Sequence, residues 1–227
     1  MRNRFFVNRD LASGDVVTLT NDERHHARVV RVRDGEEVEV FTGRGIGFFG
    51  VYEGDAVRLT GPAPDREASA AIHLAMSIIQ LEKFEMVLQK ATELGVRSII
   101  PMITERVELR PERYRGKQER WRKIVFEAVK QSGRTRIPEV EEPTTFDDII
   151  KREGAKIIFD ADAKDRAAGH WQLATLLIGP EGGLAEEELN AARDAGCAFQ
   201  QLGPRRLRAE TAAIVAVAIT TARSAGF

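Results

Sequence analysis

One loop of the chain combines the residue types that a small-molecule site requires. The hydrophobic run Leu176-Leu177-Ile178 leads directly into Gly179-Pro180-Glu181-Gly182-Gly183. Glycine lets a backbone approach a ligand closely because it has no Cβ atom. Ligands of open parallel sheets bind beyond the carboxyl ends of the strands, which is where such a loop would lie. The loop therefore predicts a ligand site, although a glycine-rich turn without a ligand has the same residues.

The same loop excludes the common phosphate-binding motifs. It is followed by no Gly-Lys-Ser/Thr, as a P-loop would be, and it lacks the G-x-G-x-x-G spacing of a dinucleotide fingerprint. Glu186, Glu187 and Glu188 begin the next predicted helix, where their charges suit the helix dipole and would repel a phosphate. A positively charged ligand without phosphate fits better. S-adenosylmethionine is such a ligand, and an ordinary Rossmann nucleotide enzyme is disfavoured.

A second, charged loop follows another predicted strand. It contains Arg205, Arg206 and Arg208, followed by Glu210 and Thr211 at the start of an apolar helix. The arginines could bind phosphate or pair with acids, and Glu210 or Thr211 could cap the helix. We expect the two loops to lie at adjacent strand ends and to form one crevice. Surface arginines beside a helix cap are the alternative interpretation.

Two patterns of secondary structure divide the chain. Residues 16–19 and 38–41 have the alternating or β-branched pattern of strands, and residues 22–30 predict a helix capped by Asn21 or Asp22. Residues 60–65 are typical of a linker. Beyond them strands and helices alternate, which predicts an α/β domain with a mostly parallel sheet. The predicted strands are residues 72–79, 96–103, 156–159, 174–178 and 198–202, and the predicted helices are residues 83–94, 118–131, 185–195 and 210–224.

Composition and charge exclude several classes of protein. No window approaches the roughly 20 apolar residues that span a bilayer, and the single cysteine, Cys197, allows no internal disulfide. The histidines lack the spacing of metal ligands, so we predict a cytoplasmic protein without a metal site. Residues 97–136 carry 12 Lys and Arg against 5 Asp and Glu, whereas residues 139–199 carry 6 against 14. The basic segment could attract RNA phosphates, although solvated helices show the same segregation.

The two loops together resemble the cofactor motifs of the SPOUT methyltransferases. More narrowly, the chain resembles the RsmE family, which methylates N3 of a uridine in 16S ribosomal RNA. The likeness runs nearly the full length, through Arg4-Phe5-Phe6, residues 25–35, residues 90–96 with Pro101, and residues 127–134 with Pro138. The chain departs from the family at Ala185, where a Ser or Thr commonly caps the helix, and at Pro204-Arg205, where the family often has a basic residue and Arg.

The resemblance implies a fold and a cofactor site. We expect a PUA-like β-barrel that binds RNA over residues 1–68 and a SPOUT methyltransferase domain with a trefoil knot over residues 69–227. Family members are homodimers with the cofactor crevice near the subunit interface. The resemblance assigns S-adenosylmethionine binding to Leu177, Ile178, Gly179, Pro180, Glu181, Gly182, Gly183, Leu202, Gly203, Leu207, Arg208, Thr211 and Ala212.

Methyl transfer to N3 of uridine requires alignment of the reactants and removal of a proton. We expect Arg208 to stabilise the uridine anion and Glu210 to take the proton, although a helix cap is an equal alternative for Glu210. Ribosomal RNA or the small ribosomal subunit would be the partner. The alternatives are a SPOUT enzyme that acts on another RNA, such as transfer RNA, and a non-catalytic RNA-binding module. The expected RNA contacts are Arg4, Arg28, Arg31, Arg134 and Arg136, of which Arg28 and Arg31 would share a helix face.

Overall fold

The chain forms two compact units. A computed structural model describes residues 2–107, 111–164 and 171–224. The first unit consists of Met1–Glu67 with Val129–Ile137, and the second of Ala68–Ala128 with Pro138–Phe227. The division differs from the expected one by a single residue at the first boundary. It also differs because Val129–Ile137, which we expected in the second domain, belongs to the first unit.

The first unit is built on a five-stranded sheet. Its strands run in the order β1-β3-β4-β5-β2, with β1 and β3 parallel and the other pairs antiparallel. Phe5, Val38, Val40 and Val57 are fully buried in its core. The strands are β1 Arg4–Phe6, β2 Val16–Thr18, β3 Glu37–Phe41, β4 Gly47–Glu53 and β5 Ala56–Pro62.

The helix of this unit, α1, spans Asn21–Val29. The hydroxyl of Thr20 caps it by accepting a hydrogen bond from the Glu23 amide at 3.3 Å. The prediction that Asn21 or Asp22 is the cap was therefore wrong, because the residue with extended dihedral angles lies one position earlier. The predicted linker was also placed too early. Strand β5 continues to Pro62, since Gly61 and Pro62 still pair with β4 across a register shift.

Backbone and side-chain hydrogen bonds account for the place of Val129–Ile137 in the first unit. Ile137 donates its amide to the carbonyl of Gly43 at 2.9 Å, and Gly45 donates to the carbonyl of Thr135 at 3.0 Å. The Arg4 guanidinium donates to the carbonyl of Arg134 at 2.7 Å. These partners are far apart in sequence, which is why periodicity could not assign the segment.

The second unit contains a parallel sheet with helices. Its strands run in the order β12-β10-β11-β6-β7-β8, and β9 also pairs with β7. Every pairing is parallel, as the alternation of strands and helices predicted. The strands are β6 Ala71–Ser77, β7 Ser98–Ile103, β8 Glu139–Val140, β9 Thr144–Thr145, β10 Ala155–Phe159, β11 Leu173–Ile178 and β12 Ala198–Gln200, and the helices are α2 Leu81–Glu93, α3 Pro111–Tyr114, α4 Gln118–Ser132, α5 Phe146–Ile150, α6 Glu186–Asp194 and α7 Ala209–Ser224.

Helix α2 shows how the sequence pattern becomes packing. Its apolar residues recur at the helical period, and those on the covered face, including Phe84 and Leu88, are fully buried. Phe84 packs against the ring of Trp121 from α4, with centroids 4.9 Å apart, which places Trp121 in the core. Gly95 ends the helix in the left-handed region at φ 98°, and the amide of Val96 returns to the Ala91 carbonyl.

The strand order decides which loops share one edge of the sheet. Strand β10 lies between β11 and β12, and its last residue, Phe159, pairs with both Ile178 and Gln200. The carboxyl ends of these three strands therefore lie side by side. The expectation that β11 and β12 are direct neighbours was wrong, because β10 is inserted between them. The trefoil knot stays a prediction.

Candidate active site

A cleft of about 1190 Å³ opens beyond the carboxyl ends of β10, β11 and β12. The loops that follow these strands supply most of its wall, and Arg106, from the segment after β7, also lines it. Ligands of parallel sheets bind at this place. The wall of the cleft therefore contains both loops that the sequence analysis identified. It also contains two segments that the sequence analysis did not identify.

The glycine-rich loop after β11 is a tight turn. The Gly183 amide donates to the Pro180 carbonyl at 2.9 Å, and Gly183 has a φ of 72°, which favours glycine. A Cβ atom on Gly182 would lie 3.8 Å from the nearest atom, in the Arg106 side chain. The protein itself thus leaves room at Gly182, and the space beside it belongs to the cleft.

Helix α6 starts without a side-chain cap at Ala185, but a glutamate three positions later contacts this residue. Ala185, the residue before the helix, has no side-chain acceptor. Instead the Glu188 carboxylate accepts a hydrogen bond from the Ala185 amide at 2.8 Å. The same carboxylate accepts from the Glu105 amide at 2.9 Å. Glu188 is buried and satisfies the Ala185 amide, which is the half of a capping box that a glutamate supplies. The amides of the first helical turn, from which a Ser or Thr hydroxyl would accept, gain no acceptor from it.

The loop after β12 brings the cation that we assigned to catalysis into the cleft. Gly203 has a φ of 113° and turns the chain. The Arg208 carbonyl accepts from the Ala212 amide at 2.8 Å and so starts α7, while its exposed side chain lines the cleft. Arg206 forms a solvent-exposed ion pair with Asp162 at 3.3 Å.

The residues assigned to the cofactor mostly meet in this cleft. Ile178, Gly179, Pro180, Glu181, Gly182, Gly183, Leu202, Gly203, Leu207, Arg208 and Ala212 line it. Leu177 and Thr211 do not. Leu177 is fully buried in the core, in one cluster with Ile158 and Leu184. Thr211 is exposed on a different face of α7 from Ala212.

Glu210 does not line the cleft. It lies in the first turn of α7 with 6% of its surface exposed, and its Oε2 atom has no hydrogen-bond partner in the described part of the chain. A general base must reach the proton that it removes. This placement corrects our assignment of Glu210 as the base, because the carboxylate is covered by the fold instead of facing the reaction space.

Sequence reasoning missed two parts of the wall. The first is the segment Phe159–Lys164 after β10, whose turn is closed by the Asp162 amide donating to the Asp160 carboxylate at 2.7 Å. An aspartate directly after a buried strand was the available signal. The second is Arg106, which donates to the Gly182 carbonyl at 2.9 Å. No local pattern marks Arg106, because its partner lies 76 positions later.

Two of the five arginines expected to contact RNA are buried. Arg4 is 5% exposed and donates to the Glu39 carboxylate and to the carbonyls of Val129 and Arg134. Arg134 is 4% exposed and donates to the Glu67 carboxylate at 2.6 Å. Their guanidinium groups hold the first unit together. These buried guanidinium groups do not face a position that an RNA phosphate could occupy. We therefore no longer assign Arg4 and Arg134 to the RNA surface.

The other three arginines remain candidates for RNA contact. Arg28 and Arg31 are exposed, and Arg136 is half-buried with its guanidinium against Gly45. Arg28 and Arg31 do not share a helix face, contrary to our prediction. The helix ends at Val29, and Arg31 adopts a left-handed conformation with φ 58° in the closing turn.

The described ranges, residues 2–107, 111–164 and 171–224, contain no sign of a metal site or of a membrane-spanning helix. Within them, no three His, Cys, Asp or Glu side chains are grouped as metal ligands would be. The helices described there are all too short or too polar to cross a bilayer. Cys197 is buried in the core, and burial raises the pKa of its thiol while the charge of Lys156 opposes the rise.

Two family models match the chain. The RNA methyltransferase domain matches residues 66–221, and the RNA methyltransferase PUA domain matches residues 19–59. Ribosomal RNA small subunit methyltransferase E of Synechocystis is 32% identical over 89% of this chain and 71% of its own length. The protein of that name from Aquifex aeolicus is 30% identical over 91% of this chain and 94% of its own.

Solved structures agree over both units. Ribosomal RNA small subunit methyltransferase E of Neisseria gonorrhoeae, bound to S-adenosylmethionine, is 29% identical, with a TM-score of 0.89 over 98% of both chains. A Legionella pneumophila protein in complex with the same cofactor is 31% identical, with a TM-score of 0.85 over 98% of both chains. The fold, the cleft and these likenesses together show that the chain belongs to the RNA methyltransferase family that includes the ribosomal RNA small subunit methyltransferase E proteins.

Proposed function

We propose that the chain binds S-adenosylmethionine in the cleft and transfers its methyl group to N3 of a uridine in 16S ribosomal RNA. The observation that carries the proposal is that the two loops resembling cofactor motifs meet in one cleft. Two full-length structural neighbours were solved with S-adenosylmethionine bound. The relatives named as small subunit ribosomal RNA methyltransferases support the class of substrate.

The wall of the cleft carries charges of both signs. It carries the carboxylates of Asp160, Asp162, Glu181 and Glu186 at or near the glycine-rich turn. It also carries the cationic side chains of Arg106, Lys164, Arg193, Arg205, Arg206 and Arg208. Three of the carboxylates lie in ion pairs, Glu181 with Lys83, Asp162 with Arg206 and Glu186 with Arg193, so the charge of the wall does not by itself select against a phosphate. S-adenosylmethionine supplies the activated methyl group, and the exposed backbone of the turn around Gly182 offers hydrogen-bonding groups to its polar parts.

The contribution of the chain to methyl transfer is alignment and charge. Displacement at the methyl carbon proceeds in line, so the enzyme gains rate chiefly by holding the uridine N3 opposite the departing sulfur. The N3 anion spreads charge onto its two flanking carbonyl oxygens. The exposed guanidinium of Arg208 in the cleft is the group that we assign to stabilising that charge. Since Glu210 is buried and does not line the cleft, we assign the N3 proton to solvent water in the open cleft.

Three further expectations are part of the proposal. The partner is ribosomal RNA or the assembled small subunit, contacted through the first unit by Arg28, Arg31 and Arg136. The active form is a homodimer, which the half-exposed apolar residues Ile214 and Val215 of α7 suit. The location is cytoplasmic, where the RNA and the cofactor are found together.

Nucleoside analysis after methyl transfer tests the proposal. The protein is incubated with labelled S-adenosylmethionine and either 16S ribosomal RNA, assembled small subunits or transfer RNA, and the products are digested and identified by mass spectrometry. We expect 3-methyluridine from one of the two ribosomal substrates. Label in transfer RNA, or in a ribose or another base, would replace the proposed target. Cofactor binding without any transfer would favour the non-catalytic RNA-binding module.

A further inference from the structure

The segment Thr104–Val107, which follows β7, is a short turn fixed at its base. The Val107 amide donates to the Thr104 carbonyl at 3.2 Å and closes the turn. The buried Thr104 hydroxyl lies 3.3 Å from the hydroxyl of Ser77, which is itself fully buried at the end of β6. The base of the turn is thus anchored in the sheet. Its tip carries Glu105 and Arg106, which are both exposed.

Both tip residues are hydrogen-bonded to the glycine-rich segment Gly179–Ala185 or to the helix that follows it. The Arg106 guanidinium donates to the Gly182 carbonyl at 2.9 Å. The Glu105 amide donates to one oxygen of the Glu188 carboxylate at 2.9 Å, and the Ala185 amide donates to the other at 2.8 Å. Glu188 therefore joins the two segments through a single buried carboxylate.

These contacts are strong enough to matter for the position of the turn. A buried carboxylate that accepts two backbone N–H groups forms charge-assisted hydrogen bonds, which are about twice as strong as neutral ones. Replacing it leaves one of the two amides without its charged acceptor, and the hydrogen bond from the Ala185 amide is buried. Arg106 adds a third link in the middle of the segment, at the carbonyl of Gly182, where an added Cβ atom would meet no atom closer than 3.8 Å.

The geometry points to Arg106 and Glu188 as positioning residues of the cofactor site. We infer that they form a two-loop clamp, defined as Arg106–Gly182 together with Glu188–Glu105 and Glu188–Ala185. The clamp holds the glycine-rich segment in its binding conformation before the cofactor arrives. Preorganisation of this kind raises affinity because less conformational freedom is lost on binding. The inference rests on the proposed binding of S-adenosylmethionine, and neither residue need contact the reacting atoms.

The test compares Arg106→Ala, Arg106→Lys and Glu188→Gln with the wild type. Calorimetry measures the Kd for S-adenosylmethionine, and steady-state assays separate its KM from kcat. We expect Arg106→Ala and Glu188→Gln each to weaken cofactor binding by about tenfold. Arg106→Lys should recover part of the loss, since an ammonium can still donate to the Gly182 carbonyl. The double variant should lose less than the product of the single losses, because the two residues restrain the same segment.

Glu187→Gln is the matched control, since Glu187 is exposed in the same turn of α6 and forms no part of the clamp. It should leave the Kd unchanged. A residue that only caps the helix would lower the melting temperature and leave cofactor affinity intact at a temperature well below unfolding. If Glu188→Gln behaves in that way and Arg106→Ala binds the cofactor like the wild type, the clamp is overturned.

Hydrogen exchange without cofactor keeps the inference separate from the proposed function. We expect faster exchange across Gly179–Ala185 in both Arg106→Ala and Glu188→Gln, but not in Glu187→Gln, because the segment opens more often when a link is removed. Unchanged exchange in both variants would overturn the clamp even if the enzyme is active. Faster exchange in a protein that does not bind S-adenosylmethionine would support the clamp and refute the cofactor assignment instead.

Discussion

Arginine side chains have different roles that depend on what surrounds each of them. Arg208 is exposed in the cleft, whereas Arg4 and Arg134 are buried among carbonyl and carboxylate oxygens. A guanidinium that faces a reaction space can stabilise developing negative charge, since no protein acceptor already uses it. A buried guanidinium instead holds segments of the chain together through its hydrogen bonds. The proposed chemistry therefore depends at the residue scale on Arg208.

Arg208→Ala should lower kcat by about 100-fold, the usual loss when a group that stabilises transition-state charge is removed. The KM for S-adenosylmethionine should change little, because the cofactor is expected to contact the backbone of this loop. Steady-state kinetics with saturating RNA measures both constants. A rise in the cofactor KM with kcat unchanged would show that Arg208 binds the cofactor and does not act on the uridine.

Glu210→Gln is the companion variant for the same assay. Glu210 is buried outside the cleft, so the substitution should leave turnover close to that of the wild type. A loss as large as that of Arg208→Ala would show that the carboxylate reaches the substrate after all. The sequence could identify Arg208 from its loop but could not predict that Arg4 is buried, because the acceptors of Arg4 lie 35 to 130 positions away.

Elements in the first unit are joined through the Glu67 carboxylate. It accepts hydrogen bonds from the Arg134 guanidinium at 2.6 Å and from the amides of Thr135 and Arg136, both at 2.9 Å. Burial by itself would raise the pKa of Glu67, but the hydrogen bond and charge of Arg134 and the two amides lower it below its ordinary value of 4.5. The segment after α4 thus depends on an ionised Glu67.

Glu67→Gln should destabilise the protein by about 3 kcal/mol at neutral pH, because Arg134 loses its buried counter-charge. A carboxyl group with a lower pKa in the folded state than in the unfolded state stabilises the folded protein at every pH above its unfolded pKa. This stabilisation is lost as the pH falls through the folded pKa and the group becomes protonated. The difference between variant and wild type should therefore shrink below about pH 4.5. Urea unfolding of both proteins at several acidic pH values measures this difference in the free energy of unfolding.

Glu37→Gln provides the control for this titration. Glu37 pairs with Arg2 at 2.8 Å, but both side chains are about half exposed or more, at 67% and 48%. Exposed pairs contribute about 0–1 kcal/mol, so this variant should unfold close to the wild type at every pH. An equal effect of the two substitutions would contradict the assignment of Glu67 as the buried link.

Long elements were predictable and short ones were not. Helix α2 was predicted within two residues at either end because its apolar face repeats at the helical period and Gly95 ends it. Strands β8 and β9 have two residues each, and α5 has five, which is too short for any period to show. They form because neighbouring elements supply their partners, and no local pattern contains that information.

The arrangement of the whole molecule depends on strand order, which a linear pattern cannot supply. The alternation of elements predicted a parallel sheet, and the loops predicted a cleft at its carboxyl edge. Strand β10, which pairs with both β11 and β12, brings Asp160 and its neighbours into the wall between the two predicted loops. Arg106 also lies in the cleft wall because distant segments of the chain come together there.

RNA binding and cofactor binding should be separable in the whole molecule. Reversing both charges in Arg28→Glu/Arg31→Glu should weaken binding of 16S ribosomal RNA and reduce its salt dependence, since two cations facing phosphates are lost. The affinity for S-adenosylmethionine should not change. Filter binding at several salt concentrations, with calorimetry for the cofactor, measures both. Arg9→Glu/Arg58→Glu, which reverses two other exposed arginines of the first unit, is the control.

The most direct test of the central claim is calorimetric titration of S-adenosylmethionine into the wild type and Gly182→Val. The substitution fits the fold, since the nearest atom to a new Cβ is 3.8 Å away, but places a branched side chain in the cleft. Gly61→Val, also in open space, is the control. We predict binding by the wild type and by Gly61→Val, and none by Gly182→Val. Unchanged binding by a folded Gly182→Val would contradict the placement of the cofactor in this cleft.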